Sequence, residues 1–153
     1  FLDDNIAVEF HRASIVNDPA VIAQNHKMVS INSALQVDLT GQCCAESIGP
    51  RLYSGTGGHK EFIRGATNSP GGKSILAFSS TAQNDTISRI VPLFDSGTIV
   101  TTSRVDVDYV VTEYGVACLR GRNIRERVQE LINIAHPDFR DDLRSEARRL
   151  QMW

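Results

Sequence analysis

The sequence predicts an α/β fold with a mixed sheet, because strand-length apolar runs alternate with helical segments. Apolar runs at residues 74–80, 87–94, 97–103 and 108–113 are bounded by turn residues, and their length suits strands better than helices. From residue 124 to 135, apolar side chains instead recur at helical spacing in a single stripe. With 153 residues, 41% of them hydrophobic, the chain is long enough for one core. We therefore expect one domain over residues 1–153.

The first half of the chain contains two predicted helices and one strand region. Asp18 followed by Pro19 is typical of a helix start and predicts a short helix at residues 19–26. Residues 28–39 carry β-branched side chains in alternation, which predicts one or two half-buried strands. A second short helix is predicted at residues 59–67, directly after a Gly-rich loop.

Two helices are predicted at the end of the chain. Asn123 is well placed to cap the striped helix. His136 and Pro137 interrupt the pattern, and residues 138–150 resume as a charged, mostly exposed helix. We interpret His136 as a helix-end residue that interacts with the last backbone carbonyls.

Composition argues against several classes of partner. The chain has 16 Lys and Arg, scattered along it, against 18 Asp and Glu, so we expect no nucleic-acid binding. No run approaches the roughly 18 apolar residues that spanning a bilayer needs. The start of the chain is acidic where a signal peptide would be basic and then apolar. We expect a soluble, cytoplasmic protein, and the missing initiator Met suggests a domain of a longer chain.

The cysteines and histidines do not predict a metal site. Cys43, Cys44 and Cys118 lack metal-type spacing, and adjacent cysteines rarely bridge each other. We expect free thiols in a reducing compartment. The four histidines lie far apart without a recognisable ligand pattern.

The chain contains glycine clusters that resemble phosphate-binding motifs but do not match them. A dinucleotide fingerprint would need glycine at Lys60, and a Walker loop would need glycine at Thr67. The cluster at residues 55–58 has two other interpretations. It is either a tight turn into the helix, or a loop in which Gly57 and Gly58 present backbone amides to an anion or a developing oxyanion.

Glu113 is a second candidate, because it ends an apolar strand just before Gly115. A solvated carboxylate at a strand end explains this position equally well. As a functional group it would orient a substrate, act as a base or attack a carbonyl. Its position in the sequence does not choose among these roles.

Several segments together resemble the C-terminal domain of the acetyl-CoA hydrolase/transferase family, and within it the 4-hydroxybutyrate CoA-transferases most closely. The similarity extends over nearly the whole chain in the family's order. The matching segments are VNDPAVIAQN (16–25), MVSINSALQVDLTGQ (28–42), ESIGPRLYSGTGGHKEFIRGA (46–66), GGKSILAFSSTA (71–82), ISRIVP (87–92), VTTSRVDVDYVVTEYGVACLRG (100–121) and RERVQELINIAHPDFR (125–140).

This resemblance implies an open α/β/α domain of the class I CoA-transferase type with a mixed sheet. It implies an enzyme that moves CoA between a short-chain acyl-CoA, such as acetyl-CoA, and a small carboxylic acid, such as 4-hydroxybutyrate, through a glutamyl-CoA intermediate. CoA would be a substrate, with no tightly bound cofactor. The N-terminal domain of the same enzyme and a further copy of the chain would be the protein partners.

The resemblance also implies roles for individual residues. Asn17, Gly58 and Glu113 match active-site positions of the family, and the Gly58 amide would serve the oxyanion. Ser54, Gly57 and Gln83 lie at positions that contact CoA. These roles would explain why glycine occupies positions 57 and 58, because a residue without a Cβ lets the thioester lie against the backbone.

The chain departs from the family pattern in four places, one of which is Cys43-Cys44 in place of a commoner Val-Asn. It lacks the His-Thr-Glu segment that carries the nucleophile, so the resemblance implies that Glu113 is not the nucleophile and that this chain is inactive alone. Gln83 replaces a lysine available to CoA, and residues 59–61 differ from the usual Gln-Val-Asp. An acetyl-CoA hydrolase and a non-catalytic CoA-binding domain therefore remain as alternatives.

Overall fold

The computed structural model of the protein describes residues 1–152, and Trp153 lies outside the described residues. The helices are α1 (Ala13–Val16), α2 (Pro19–Ala23), α3 (His59–Asn68), α4 (Ile124–Asn133) and α5 (Arg140–Arg149), with a 3₁₀ turn at Pro137–Phe139. The strands are β1 (Val29–Asn32), β2 (Gln36–Asp38), β3 (Cys43–Cys44), β4 (Ser47–Ile48), β5 (Arg51–Leu52), β6 (Lys73–Ala77), β7 (Thr81–Ala82), β8 (Ile87–Ser88), β9 (Ile90–Val91), β10 (Tyr109–Thr112) and β11 (Gly115–Cys118).

The main sheet has four strands in the order β1-β6-β10-β11. β1, β6 and β10 are parallel, whereas β11 returns antiparallel to β10. The predicted α/β class with a mixed sheet is therefore confirmed. The carboxyl ends of the three parallel strands meet at one edge of the sheet, where α/β folds commonly bind ligands.

Smaller sheets extend this framework. β2 pairs antiparallel with β3 and parallel with β9, and the two hairpins β4-β5 and β7-β8 flank it. Val37, Leu39 and Ile90 of this region are fully buried and belong to the same apolar core as the main sheet. One core thus joins the sheets.

Helices α3 and α4 pack on one face of the main sheet because each carries an apolar stripe. Ile63 of α3 and Leu131 of α4 are buried in one cluster with Leu76, Val110 and Ala117 of the sheet. α3 matches the helix predicted at residues 59–67 to within one residue.

Local sequence fixes the start of α4. The Asn123 side chain accepts a hydrogen bond from the Glu126 amide, and the Glu126 carboxylate accepts one from the Asn123 amide. This capping box satisfies two backbone donors that would otherwise lack partners. The predicted cap and striped helix are both confirmed.

The predicted strand at residues 97–103 is wrong. Its backbone donors are satisfied outside any ladder: the Ile99 amide donates to the Ser47 hydroxyl, and Thr102 forms only an isolated bridge with Cys43. Gly97, the first residue of this segment, has a φ of 86°, which lies outside the extended region. The apparent β pattern reflects partial burial of a loop.

Three other predicted boundaries shift. Residues 87–94 form two two-residue strands in different sheets. The chain changes sheet at Arg89, whose amide donates to the Ser80 carbonyl and whose carbonyl accepts from the Val37 amide of β2. α2 ends at Ala23 rather than residue 26, and the terminal α-helix begins at Arg140 rather than residue 138. His136 does not bond the preceding carbonyls; its Nδ1 accepts from the Asp138 amide and caps the 3₁₀ turn.

Within residues 1–152, the longest helices have ten residues, and none is long and apolar enough to cross a membrane. The described part of the chain also contains no group of three or more His, Cys, Asp or Glu side chains arranged to hold a metal ion. All three cysteines are free, and Cys43 and Cys44 are buried.

Candidate active site

The Gly-rich loop lies between β5 and α3 and is exposed from Ser54 to Gly57. Gly57 has a φ of 53°, a left-handed conformation that disfavours other residues. Among residues 1–152, the amides of Gly57 and Gly58 donate to no acceptor. Gly58 is also the N-cap of α3 and provides no side chain to cap it. The loop therefore offers unpaired N–H groups at a helix N-terminus, an arrangement that favours anions.

Asn17 lies directly against Gly58. A Cβ on Gly58 would be 2.8 Å from the Asn17 Nδ2 and 3.2 Å from the Phe62 ring. Asn17 is the C-cap of α1, and its own amide donates back to the Ala13 carbonyl. Two of the predicted site residues are thus neighbours in space although 41 residues separate them in the sequence.

His59 follows Gly58 and is buried. Its Nε2 lies 3.2 Å from the Ser33 carbonyl oxygen, and its Nδ1 lies 3.0 Å from the Thr102 hydroxyl. Because a carbonyl only accepts, Nε2 carries the proton and the Thr102 hydroxyl donates to Nδ1. Burial lowers the pKa of His59, although the Ser33 carbonyl and nearby carboxylates oppose this. His59 is therefore neutral, and its two hydrogen bonds link the start of α3 to Ser33 and to Thr102.

Glu113 lies just beyond the carboxyl end of β10, and Ser80 holds it. The Ser80 amide donates to both carboxylate oxygens, at 2.9 and 3.2 Å, and the Ser80 hydroxyl donates to one of them at 2.5 Å. Local desolvation raises the pKa of Glu113, but hydrogen bonds from Ser80 and from the Glu113 backbone amide, together with the nearby His136, outweigh this effect, and the net pKa is lowered. The carboxylate is therefore ionised and fixed in direction.

Arg89 lies close enough to Glu113 for the two charges to interact. Its guanidinium donates to the carbonyls of Ala34 and Leu35 and to the Ser79 hydroxyl, and it lies 5.1 Å from the centre of the Phe78 ring. Burial lowers the pKa of Arg89, and Glu113 partly offsets this.

A cavity of about 350 Å³ opens beside Arg89. Gln83 lines it from the β7-β8 turn, where it has a φ of 52°. The remaining wall is mainly apolar and comprises Leu35, Gln36, Ile48, Ala82, Ile87 and Ser88. This size and lining are typical of a small-molecule site.

The candidate residues form two groups that are joined by one loop. Gly58, Asn17 and His59 form the first group, and Glu113 and Gln83 lie with Ser80 and Arg89 in the second. The loop after β1 connects them: Ser33 bonds His59, whereas Ala34 and Leu35 bond Arg89. In residues 1–152, no hydrogen bond or ion pair links Glu113 directly to Gly58.

The family model for the acetyl-CoA hydrolase/transferase C-terminal domain matches residues 1–147. The chain belongs to this family. It is 55% identical over 150 residues to succinyl-CoA:cyclohexane-1-carboxylate CoA transferase from Geobacter metallireducens, covering 98% of this chain and 34% of that protein. It is 56% identical over 149 residues to 4-hydroxybutyrate coenzyme A transferase from Clostridium kluyveri, covering 97% and 35%.

A solved structure has the same fold. The crystal structure of RipA from Yersinia pestis superposes with a TM-score of 0.93 at 46% identity, covering 99% of this chain and 34% of RipA. The chain spans about a third of the length of the relatives that it matches.

Proposed function

We propose that this chain is the C-terminal domain of an enzyme that transfers CoA between a short-chain acyl-CoA and a small carboxylic acid, such as 4-hydroxybutyrate. Family membership and the transferase names of its relatives support this. The observation that carries the proposal is the pair of unpaired amides at Gly57 and Gly58, with Asn17 beside them.

In the proposed reaction, a glutamate from polypeptide outside this chain attacks the thioester carbonyl, and the CoA thiolate leaves. The thiolate then attacks the resulting anhydride, which expels the first acid and leaves a glutamyl-CoA thioester. The acceptor carboxylate then attacks the glutamyl-CoA thioester, which releases the CoA thiolate and forms a second anhydride. The thiolate attacks the acyl carbonyl of this anhydride, which releases the glutamate and the new acyl-CoA. Splitting the exchange in this way uses covalent catalysis.

Each tetrahedral intermediate carries an oxyanion that requires hydrogen-bond donors. The Gly58 amide, at the N-terminus of α3, and the Asn17 amide side chain supply such donors. Donors that are already positioned stabilise the developing charge without reorganising. The absence of a Cβ at Gly58 lets the thioester approach the backbone.

Glu113 acts in this proposal as a fixed negative charge that orients a substrate, and not as the nucleophile. Its carboxylate oxygens already accept hydrogen bonds from Ser80, which also lower its pKa. Both effects reduce its nucleophilicity. Ser54, Gly57 and Gln83 contact CoA, with Gln83 contributing a neutral amide.

The test is an exchange assay between acetyl-CoA and 4-hydroxybutyrate, with this chain alone and with a chain extended upstream to the length of its relatives. We expect exchange only from the extended chain. Robust exchange by residues 1–153 alone would overturn the assignment of the nucleophile. Release of free CoA without an acceptor acid would instead identify a hydrolase, and CoA binding without turnover would identify a non-catalytic domain.

A further inference from the structure

His59 is the first residue of α3 and closes the turn that carries the Gly57 and Gly58 amides. Its backbone amide donates to the Thr56 carbonyl oxygen at 3.3 Å, so the two glycines are the central residues of that turn. A Cβ at Gly57 would meet no heavy atom of residues 1–152 within 4 Å, so the turn is open on that side. The His59 side chain, in contrast, is only 9% exposed. The imidazole is therefore a buried anchor of the turn.

The Nε2–H group of His59 binds the loop after β1. It donates to the Ser33 carbonyl oxygen at 3.2 Å. The carbonyls of the next two residues, Ala34 and Leu35, accept from the Arg89 guanidinium. This short segment of main chain is therefore bonded to His59 at one end and to Arg89 at the other.

Arg89 continues the connection to Glu113. Its guanidinium donates to the Ser79 hydroxyl at 3.1 Å, and the next residue, Ser80, holds the Glu113 carboxylate. A series of bonded residues thus runs from the turn at Gly58 to the carboxylate. Within residues 1–152, the Nε2–H bond is the only hydrogen bond that joins α3 or its Gly-rich loop to this series.

Thr102 determines which ring nitrogen of His59 carries the proton. Thr102 is fully buried, and two backbone hydrogen bonds with Cys43 hold it in place. Its hydroxyl lies 3.0 Å from Nδ1 and has no other hydrogen-bond partner in the described part of the chain. The hydroxyl donates to Nδ1, so the ring proton is on Nε2 and points at the Ser33 carbonyl.

We propose that His59 is a positioning residue for CoA transfer, whose Nε2–H bond to the Ser33 carbonyl holds the Gly58 amide at a fixed separation from the Glu113 carboxylate. This inference rests on the proposed function, because it takes Gly58 to serve the oxyanion and Glu113 to orient a substrate. His59 itself contacts no reacting atom. It acts through the alignment of two groups that meet the same substrate, and a misplacement of about 1 Å can lower a rate by about a hundredfold.

Two substitutions separate the two hydrogen bonds of the imidazole. The side-chain amide of glutamine reaches the position of Nε2, so His59→Gln keeps a donor to the Ser33 carbonyl. Asparagine is shorter and reaches only the position of Nδ1, so His59→Asn keeps an acceptor for Thr102 and loses the donor to Ser33. Both variants lack the imidazole ring, so each is the matched control for the other.

The first measurement is exchange between acetyl-CoA and 4-hydroxybutyrate by the full-length enzyme. We expect His59→Asn to lower kcat by about tenfold or more and to change the KM for acetyl-CoA by less than about threefold, because the alignment matters most in the transition state. His59→Gln is expected to keep kcat within about threefold of the unaltered enzyme, since its donor to Ser33 remains. Equal losses in the two variants, or no loss in either, would overturn the proposal.

The backbone amide of Ser80 supplies a second measurement, which does not depend on turnover. Its NMR signal is followed in full-length enzyme labelled with ¹⁵N-serine. We expect this signal to shift in the His59→Asn protein and to stay in place in the His59→Gln protein, because only asparagine breaks the connection to Ser33. An unmoved Ser80 signal in the His59→Asn protein would contradict the connection.

The ring tautomer of His59 decides the question if His59→Asn prevents folding. Unaltered full-length enzyme is labelled with ¹⁵N-histidine, and the spectrum of the His59→Gln protein identifies the His59 signals by their absence. We expect the Nε2–H form with a slowly exchanging proton. The Nδ1–H form would overturn the proposal, because the Ser33 carbonyl would then have no donor.

The unaltered full-length enzyme separates this inference from the proposed function. Absence of exchange in that enzyme would contradict the transferase, and the Ser80 signal and the His59 tautomer would still decide the connection. Exchange by the unaltered enzyme with an equal kcat in the His59→Asn protein would keep the transferase and remove the positioning role.

Discussion

Ser80 holds the Glu113 carboxylate through both its amide and its hydroxyl, although 33 residues separate them in the sequence. The two residues follow the carboxyl ends of neighbouring parallel strands, β6 and β10. The sheet therefore brings together a carboxylate and the donors that keep it ionised.

We expect Ser80→Ala to raise the pKa of Glu113, because the hydroxyl donor to the ionised form is lost. The measurement is a titration of the Glu113 carboxylate by ¹³C NMR. Since the folded pKa is lowered, the contribution of Glu113 to stability is present above its unfolded pKa and is lost as the pH falls through the folded value. That contribution is small, because the side chain is exposed and screened by solvent.

The control for this titration is Ser96→Ala, which changes an exposed serine elsewhere in the chain. It is expected to leave the Glu113 titration unchanged. An identical pKa in the Ser80→Ala and unaltered proteins would show that the hydroxyl has no influence on the carboxylate.

Gly58→Ala is predicted to displace Asn17. The new Cβ would lie 2.8 Å from the Asn17 Nδ2, and this side chain end is able to move aside. The cost in stability is therefore small, about 1 kcal/mol or less. Exchange by the full-length enzyme should nevertheless fall by about tenfold or more, since a displaced donor no longer meets the oxyanion. Measurements of kcat/KM and Tm together separate the two effects.

Gly55→Ala is the matched control within the same loop. A Cβ at Gly55 would have no heavy atom within 4 Å, and its φ is not in the left-handed region. Activity should be retained. An equal loss in both variants would mean that the loop tolerates no substitution, and that Asn17 is not the reason.

Local signals made much of the fold predictable. The capping box of α4 lies within four consecutive residues, and the stripe that follows it repeats at helical spacing. Gly57, Gly58 and Glu113 could be chosen as candidates from local sequence, because the glycines directly precede a helix and Glu113 ends an apolar strand. These features require no knowledge of distant contacts.

The partners of the candidate residues were not predictable in this way. Arg89 bonds Leu35 across 54 residues, and His59 bonds Ser33 across 26. The error at residues 97–103 has the same origin, because the Ile99 amide bonds the distant Ser47 hydroxyl and Thr102 forms only an isolated bridge with Cys43. Such contacts depend on the tertiary fold, whereas the pattern of apolar residues along the sequence indicates only which side chains are buried.

His59 should make stability depend on pH. Burial lowers its pKa below the usual 6.5, so the unfolded chain binds more protons than the folded chain as the pH falls below that value. The free energy of unfolding is therefore expected to decrease as the pH is lowered from about 7 to about 5. The groups that favour its protonation are the Ser33 carbonyl, Glu46 and Glu61, and burial exceeds them.

His59→Gln removes this titration and should flatten the pH dependence in that interval, as followed by urea unfolding at each pH. His26→Gln, at an exposed histidine, is the control and should leave the slope as it was. A slope that survives in the His59→Gln protein would assign the pH dependence to another group.

Gly65 allows α2 to approach α3. A Cβ at this position would lie 2.5 Å from the Ile22 Cβ, and Ile22 is buried. In an isolated helix, Gly65→Ala would stabilise by about 1 kcal/mol because alanine has the higher helix propensity. Here we expect the opposite, a loss of about 1–3 kcal/mol in the free energy of unfolding, because the two helices must separate.

A double-mutant cycle with Ile22→Ala tests whether the contact is the cause. The Ile22→Ala change alone removes buried methyl groups and should cost about 2–5 kcal/mol. In the double variant, alanine at position 22 removes the contact with the Ile22 γ-carbons but keeps the Cβ contact at 2.5 Å, so part of the clash remains. The total cost should still be less than the sum of the two single costs. Urea unfolding of the four proteins gives the coupling. If the two costs are additive, Gly65 has some role other than making room for Ile22.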